Sequence, residues 1–306
     1  MALTYVDLAF LADGTGGPVV GSKNKIINGG MAVDQRNAGA AQTFTAAAAL
    51  AYSVDRWYGY STGANVTGQR VAGSNNTQYR YRFTGAASTT AIGFGQRIEA
   101  VNCYDLAGKT ATLSLDLANS LLTSVTWTAY YASTTDTFGT LASPTRTQIA
   151  TGTFTVTSTV TRYSTQISVP SAATTGIEIV FTVGAQISGT WTIGNVQLES
   201  GVGATPFERR SYGQELALAQ RYYQTAVSAF TASVSSTVGY GAFTPFQVQM
   251  RASPSCTFVS SLAAINFPVT GGSFALTYIE GFLYEKTASG SGNARFADRI
   301  TASIEL

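Results

Sequence analysis

A chain of 306 residues with 45% hydrophobic and only 11% charged residues is long enough for one large or two modest cores, yet its charged share lies well below the roughly 25% usual in soluble domains. Eighteen basic against sixteen acidic residues leave a net charge of +2, which gives no bulk electrostatic case for nucleic acid. The absence of histidine excludes Ser-His and Cys-His triads and removes the commonest metal ligand.

Residues 1–24 read as an arm and linker. Val6, Leu8 and Phe10 lie on one side of a short extended run, apolar enough to dock into another subunit, and Asp13-Gly14-Thr15-Gly16-Gly17-Pro18 is a flexible break. The run lacks a basic lead and Asp7 interrupts it, so it is not expected to be a signal peptide. No stretch approaches the ~20 apolar residues of a membrane-spanning helix, so no membrane insertion is expected.

From residue 25 to 208 the pattern is strand after strand. QYRYRF sets Tyr79, Tyr81 and Phe83 against Gln78, Arg80 and Arg82, and ATLSLDLA sets Leu113, Leu115 and Leu117 against Ser114 and Asp116. VTWTAYY groups Val125, Trp127, Ala129 and Tyr131 and leaves Tyr130 opposite; TGTFTVTST, RYSTQISVP and IEIVFTV add three more strands. WTIGNVQLES alternates with a slip at Gly194-Asn195 of the kind a β-bulge makes. An Ala-rich piece at 46–51 could form an isolated helical turn. Eight or so short strands with turn signals at this spacing predict a two-sheet sandwich, a jelly roll.

Residues 209–224 predict a short connecting helix. Ser211 and Gln214 have the spacing of a capping box, and no Gly, Pro or β-branched residue follows until Thr225. Such a helix does not hold alone in water, because nucleation is not repaid below about 12–15 residues. Leu216, Ala219 and Tyr223 fall on one stripe, with Leu218 and Tyr222 on another. Two readings stay open: the stripes pack on the flanking β domains, or Leu216, Ala219, Tyr222 and Tyr223 meet copies of themselves around a symmetry axis.

Residues 225–306 return to short strands, FQVQM, CTFVS, FALTYIEGFLYE and RITASIEL. About 80 residues make a small β domain, and trimerisation would supply the missing burial. The expected fold is therefore all-β: a jelly-roll sandwich, a short connecting helix and a smaller C-terminal β domain. Cys103 and Cys256 fall in different domains and suggest neither a disulfide framework nor a metal knuckle.

KNKIINGGMAVDQR, YSVDRWYGY, GQRIEAVNCYDLAGKTATLSLDLA, TRYSTQISVP and VQLESGVGATPFERRSYGQELALAQRYYQ, in this order, resemble tailed-phage and prophage fibre proteins, as do FTPFQVQMRASPS and RFADRITASIEL at the end. The resemblance implies a virion structural protein assembled in the host cytoplasm: a homotrimeric fibre or spike subunit, tail fibre first and head fibre or decoration second. It implies contact with other tail or capsid proteins, attachment to the virion through Val6, Leu8 and Phe10, and a sandwich like the carbohydrate-binding modules of glycan-degrading enzymes. Many relatives have an acidic pair where this chain has Gly194-Asn195, which counts against a shared calcium site.

The remaining chemistry is sparse. No enzyme activity is expected: Asp105, Asp116, Asp136 and Glu178 are the carboxylates available for glycoside hydrolysis, but no pattern pairs any two of them. No cofactor is expected; a structural Ca²⁺ would draw on Asn24, Asn28, Asp34 and Glu199, whose other reading is hydrogen bonding that ties down turns around Gly29-Gly30. For host-surface glycans, which stack on exposed aromatic rings, the candidates are Trp127, Tyr130 and Tyr131 with Arg80 and Arg82 as polar neighbours. Alternation also places Trp127 in the core, so Tyr130 is the strongest of them.

Overall fold

A computed structural model describes residues 23–306 apart from 47–48 and 75–76. Val6, Leu8 and Phe10 lie outside the described residues. The chain divides into one compact unit running to Ser211 and a second from Tyr212 to Glu305.

The strands of the first unit are β1 Gln42–Phe44, β2 Ala51–Tyr52, β3 Tyr58–Thr62, β4 Val66–Ala72, β5 Tyr79–Thr84, β6 Ala91–Ile98, β7 Thr110–Asn119, β8 Ser124–Ala132, β9 Arg146–Thr155, β10 Thr161–Ser168, β11 Ile177–Val183 and β12 Thr190–Ser200, with one helical turn, α1, at Ala100–Cys103. They form two six-stranded antiparallel sheets, β1-β4-β5-β12-β7-β10 and β2-β3-β6-β11-β8-β9. Apart from the β2-β3, β4-β5 and β8-β9 hairpins, successive strands cross from one sheet to the other, which makes the unit a jelly-roll sandwich. The Ala-rich piece does not become a helical turn where it is described: Ala51 opens β2, paired with Gly59.

Alternation decides which side chains fill the sandwich. Tyr81, Phe83, Leu113, Leu115, Leu117, Trp191 and Ile193 come from the first sheet, and Phe94, Trp127, Ile179 and Phe181 from the second, into one core. Phe83 stacks on Trp191 at 5.3 Å and meets Phe94 edge-on at 5.4 Å, so aromatic rings join the two layers. Each such side chain contributes about 1.5–3 kcal/mol by leaving water. The bulge expected in β12 is present: its register against β7 slips between Gly194 and Gln197, and Asn195 takes a left-handed φ of 46°.

Among the described residues twelve charged ones are buried, including Asp55, Arg56, Arg80, Arg97, Asp116 and Glu178. In a chain with few charges, many of those present are thus enclosed by the fold, where they persist only when paired. The Cys103 and Cys256 thiols are free; burial pushes them up to about 12 and about 11, so both stay protonated at neutral pH.

The second unit opens with helix α2, Tyr212–Gln220. Its start follows the capping-box spacing, but it stops four residues short of the expected end. Tyr223 instead begins β13, Tyr223–Val234, where aromatic and β-branched residues favour extended backbone. Ala219, Tyr222 and Tyr223 are buried within the chain, which corrects the reading that they meet other copies; Leu216 is half-buried.

β13 pairs with β18 (Gly292–Ser303), which pairs with β15 (Ser255–Ile265). A second sheet joins β14 (Gly239–Pro245), β17 (Gly281–Thr287) and β16 (Ser273–Thr277). Phe230, Phe267, Phe282, Tyr284 and Phe296 make the core of this unit. FQVQM is not a strand, although its burial alternates like one. Its backbone is satisfied without a ladder: Gln247 N donates to Gln224 Oε1 at 3.0 Å, and Phe246 N and Met250 N donate to the carbonyls of Glu280 and Ile279, both at 2.8 Å.

Candidate functional site

Tyr58-Gly59-Tyr60 on β3 lies opposite Gly93-Phe94-Gly95 on β6, with Tyr60 facing Gly93 and Tyr58 facing Gly95. The two triplets are complementary: Phe94 and Gly59 face the core, and both tyrosines lie on the outer face of the second sheet. A Cβ at Gly93 would sit 2.1 Å from the Tyr60 ring, and one at Gly95 would sit 2.5 Å from the Tyr58 hydroxyl. Only glycine lets these rings lie flat on the strand beneath. Tyr58 is then fully buried, whereas Tyr60 is half-buried, with its ring against Gly93 and part of its surface still open to solvent.

Beside them is a buried acid, Glu178 on β11, which faces Arg97 on one neighbouring strand and Tyr130 on the other. Its Oε1 accepts Tyr58 Oη and Arg97 Nε, each at 2.7 Å, while Oε2 accepts Arg146 Nη1. Arg146 also lies over the Tyr130 ring, 4.1 Å from its centroid. The loop after β8 completes the enclosure: Gly139 O accepts Arg97 Nη2 at 2.8 Å, and the Phe138 ring lies 5.3 Å from that guanidinium. Burial pushes the Tyr60 hydroxyl up, against the lowering effect of Arg146, so it remains a neutral donor and acceptor. Thr126 and Thr182, paired across β8 and β11 beside Gly93, add half-exposed hydroxyls.

The structure does not gather the five sequence-predicted glycan residues. Tyr130 is half-buried on this face, under Arg146. Trp127 is 5% exposed in the core, which corrects it as a stacking residue, and Tyr131 packs against the same core. Arg80 and Arg82 project from β5, on the outer face of the other sheet; Arg82 is exposed, whereas Arg80 is buried and bound to Asp116. Sequence reasoning missed Tyr60, Gly93 and Glu178 as one site. The signal was present as YGY and GFG, but only strand pairing shows that one triplet covers the other.

The carboxylates are distributed among separate partners. Asp105 pairs with Lys25 at 2.7 Å, Asp116 with Arg80 and Arg162, Glu178 with Arg97 and Arg146, and Asp136 Oδ1 accepts Ala100 N at 2.7 Å. The four oxygen-bearing calcium candidates are engaged by the protein. Asn24 Oδ1 accepts Ile26 N and Leu198 N, Asn28 Oδ1 accepts Val33 N, Asp34 accepts Asn37 N and Gly39 N, and Glu199 accepts Gln197 Nε2 and Thr205. These bonds tie down turns, the alternative reading of those residues. Among the described residues no cluster of three acidic or cysteine side chains could hold a metal, and no helix is long and apolar enough to cross a membrane.

No protein-family profile matches this chain, and no curated protein does. Among solved structures it is similar to the enzymatically active domain of tailspike protein 4 of bacteriophage CBA120, at 19% identity over 58% of this chain and 22% of that one, with a TM-score of 0.38. It is similar also to TmCBM61 in complex with β-1,4-galactotriose, at 12% identity over 59% of this chain and 100% of that one, with a TM-score of 0.37. A CBM4 structure matches at 15% identity over 59% and 100%, with a TM-score of 0.36. At these identities and scores the likenesses decide nothing about ligand or partner.

Proposed function

We propose that the chain is a non-catalytic fibre or spike subunit of a bacteriophage particle, whose sandwich binds host-surface glycans on the outer face of its second sheet and whose C-terminal unit joins copies into a trimer. The observation that carries the glycan reading is the Tyr60 ring resting against Gly93 on the outer face of the sheet while the residue stays partly open to solvent. A sugar's C–H face stacks on such a ring, while Tyr130, Thr126 and Thr182 set its orientation. The Glu178 cluster beneath fixes the platform, so little ordering is left to be done on binding. Tyr60→Ala is expected to weaken binding about 3- to 10-fold on a glycan array, with the fold unchanged by circular dichroism. Equal binding by the variant and the parent chain across the array would remove this face from consideration.

The trimer reading is supported by the outer face of the β14-β17-β16 sheet. Phe243, Leu283 and Leu276 are aligned across all three strands, and Phe243 and Leu276 are 55% and 48% exposed. The outer face of the other three-stranded sheet adds exposed Val227, Val259, Leu262 and Ile265. Apolar exposure on both faces of so small a unit suits burial between copies. Light scattering is expected to give three chain masses for the intact protein and one for the Phe243→Ser/Leu276→Ser double variant. A parent chain that stays single at high concentration defeats the proposal. Virion attachment and location on the particle belong to the same proposal.

A further inference from the structure

The other outer face of the sandwich carries a second site. A cleft of about 540 Å³ opens over the first sheet, between β5, β7, β10, β12 and the segment that follows β12. The β12 bulge shapes it. Asn195, turned by its left-handed backbone, donates from Nδ2 to Thr77 Oγ1 at 2.7 Å and to Asp116 Oδ2 at 2.8 Å. Gly194 beside it leaves room for the Arg80 side chain, whose Cγ would lie 2.8 Å from a Cβ there. An insertion of backbone and the absence of one side chain thus bring two arginines to a single aspartate.

Two guanidiniums share one carboxylate. Asp116 is bonded to Arg80 Nη2 at 3.4 Å and Arg162 Nη1 at 3.3 Å, Glu199 also acts on Arg162 through space, and Arg209 lines the cleft. Arg80 is only 4% exposed and spends its terminal nitrogens on Ser74 and Asp116, but its Nε has no hydrogen-bond partner. Arg162 donates to Ser114 Oγ at 2.7 Å and to the Asn195 carbonyl, and its side chain remains 32% exposed. Burial holds its pKa below the usual arginine value, against the raising effects of Asp116 and Glu199. Val160, Pro206 and Phe207 add apolar lining.

We infer that this cleft binds an acidic saccharide, with the oxyanion, a uronate carboxylate or a sugar phosphate ester, held by Arg162 and Arg80 and the sugar ring against Phe207 and Pro206. Forked guanidinium donors suit a planar carboxylate or a phosphate, and a volume of this size suits a short oligosaccharide. The site is on the opposite face from Tyr60 and does not depend on the glycan reading given there.

The test is calorimetry on the full chain at low salt with trigalacturonate, glucose 6-phosphate and neutral galactotriose. At least one of the two acidic ligands is expected to bind, more weakly as salt rises, and the better of them identifies the anion. Arg162→Ala and Thr161→Glu are each expected to weaken it about tenfold or more. Thr161 lies on the exposed rim, and its variant adds a repelling charge at the cost of only the Thr161 Oγ1 bond to the Thr159 carbonyl at 3.2 Å. Tyr60→Ala is expected to leave this binding unchanged. The inference is overturned if neither acid binds, if the neutral trisaccharide binds as well as the acids, or if Thr161→Glu, folded by circular dichroism, binds like the parent chain.

Discussion

Glu178→Ala is expected to destabilise the sandwich by about 3–5 kcal/mol, because it leaves two enclosed guanidiniums without their counter-charge. The carboxylate is fully buried and receives Tyr58 Oη, Arg97 Nε and Arg146 Nη1, and the two arginine side chains are 6% and 12% exposed. Glu178→Gln keeps the volume and loses the charge, so it is expected to lose most of the same stability; a cavity effect alone would spare it. The measurement is urea unfolding followed by tryptophan fluorescence. All three tryptophans, Trp57, Trp127 and Trp191, are buried in the sandwich, so that signal reports its melting. A loss under 1 kcal/mol for both variants would mean that the arginines find other partners and that the cluster does not fix the tyrosine face.

The same cluster marks the boundary of what the sequence discloses. Strands with a strictly apolar inner row, such as Leu113-Leu115-Leu117, were legible because alternation is a local property. So was the Gly194-Asn195 bulge, since a glycine and an asparagine interrupting an apolar alternation have few other uses in a strand. The outer rows were not legible in the same way. Alternation assigns Arg80, Arg97, Asp116 and Glu178 to outward positions, which is correct, but it cannot show that pairing with a distant strand buries them there. Glu178 meets Arg97 and Tyr130 only through the β6-β11-β8 order, and that order is set by non-local closure of the two sheets. The candidate sites therefore depend on strand order, while the sandwich itself depends on strand pattern. FQVQM shows the converse failure. Its alternation is genuine, yet Gln224 reaches over from β13 and takes up backbone groups that a neighbouring strand would have used.

Asp298→Ala is expected to cost the C-terminal unit about 3–5 kcal/mol, by a different balance of the same forces. Asp298 and Lys286 are both fully buried, 2.8 Å apart, and Tyr284 Oη donates to the same carboxylate oxygen at 2.9 Å. Lys286 Nζ also lies 5.7 and 5.9 Å from the Phe296 and Phe258 ring centroids, too weak an environment to hold an ammonium alone. Removing the aspartate strands that charge among aromatic rings, and Lys286→Ala strands the carboxylate instead. Replacing both is a separate case. Asp298 Oδ1 has no hydrogen-bond partner, so the pair is not fully satisfied and its desolvation is incompletely offset. A Lys286→Met/Asp298→Leu double variant is therefore expected to be no less stable than the parent chain, within about 1 kcal/mol, while each single variant is strongly destabilised. Denaturation followed by near-ultraviolet circular dichroism of the tyrosine bands measures all four proteins. A double variant as unstable as the sum of the singles would show that the ion pair contributes net stability, and that this small β unit depends on a charge in its core as well as on its aromatic packing.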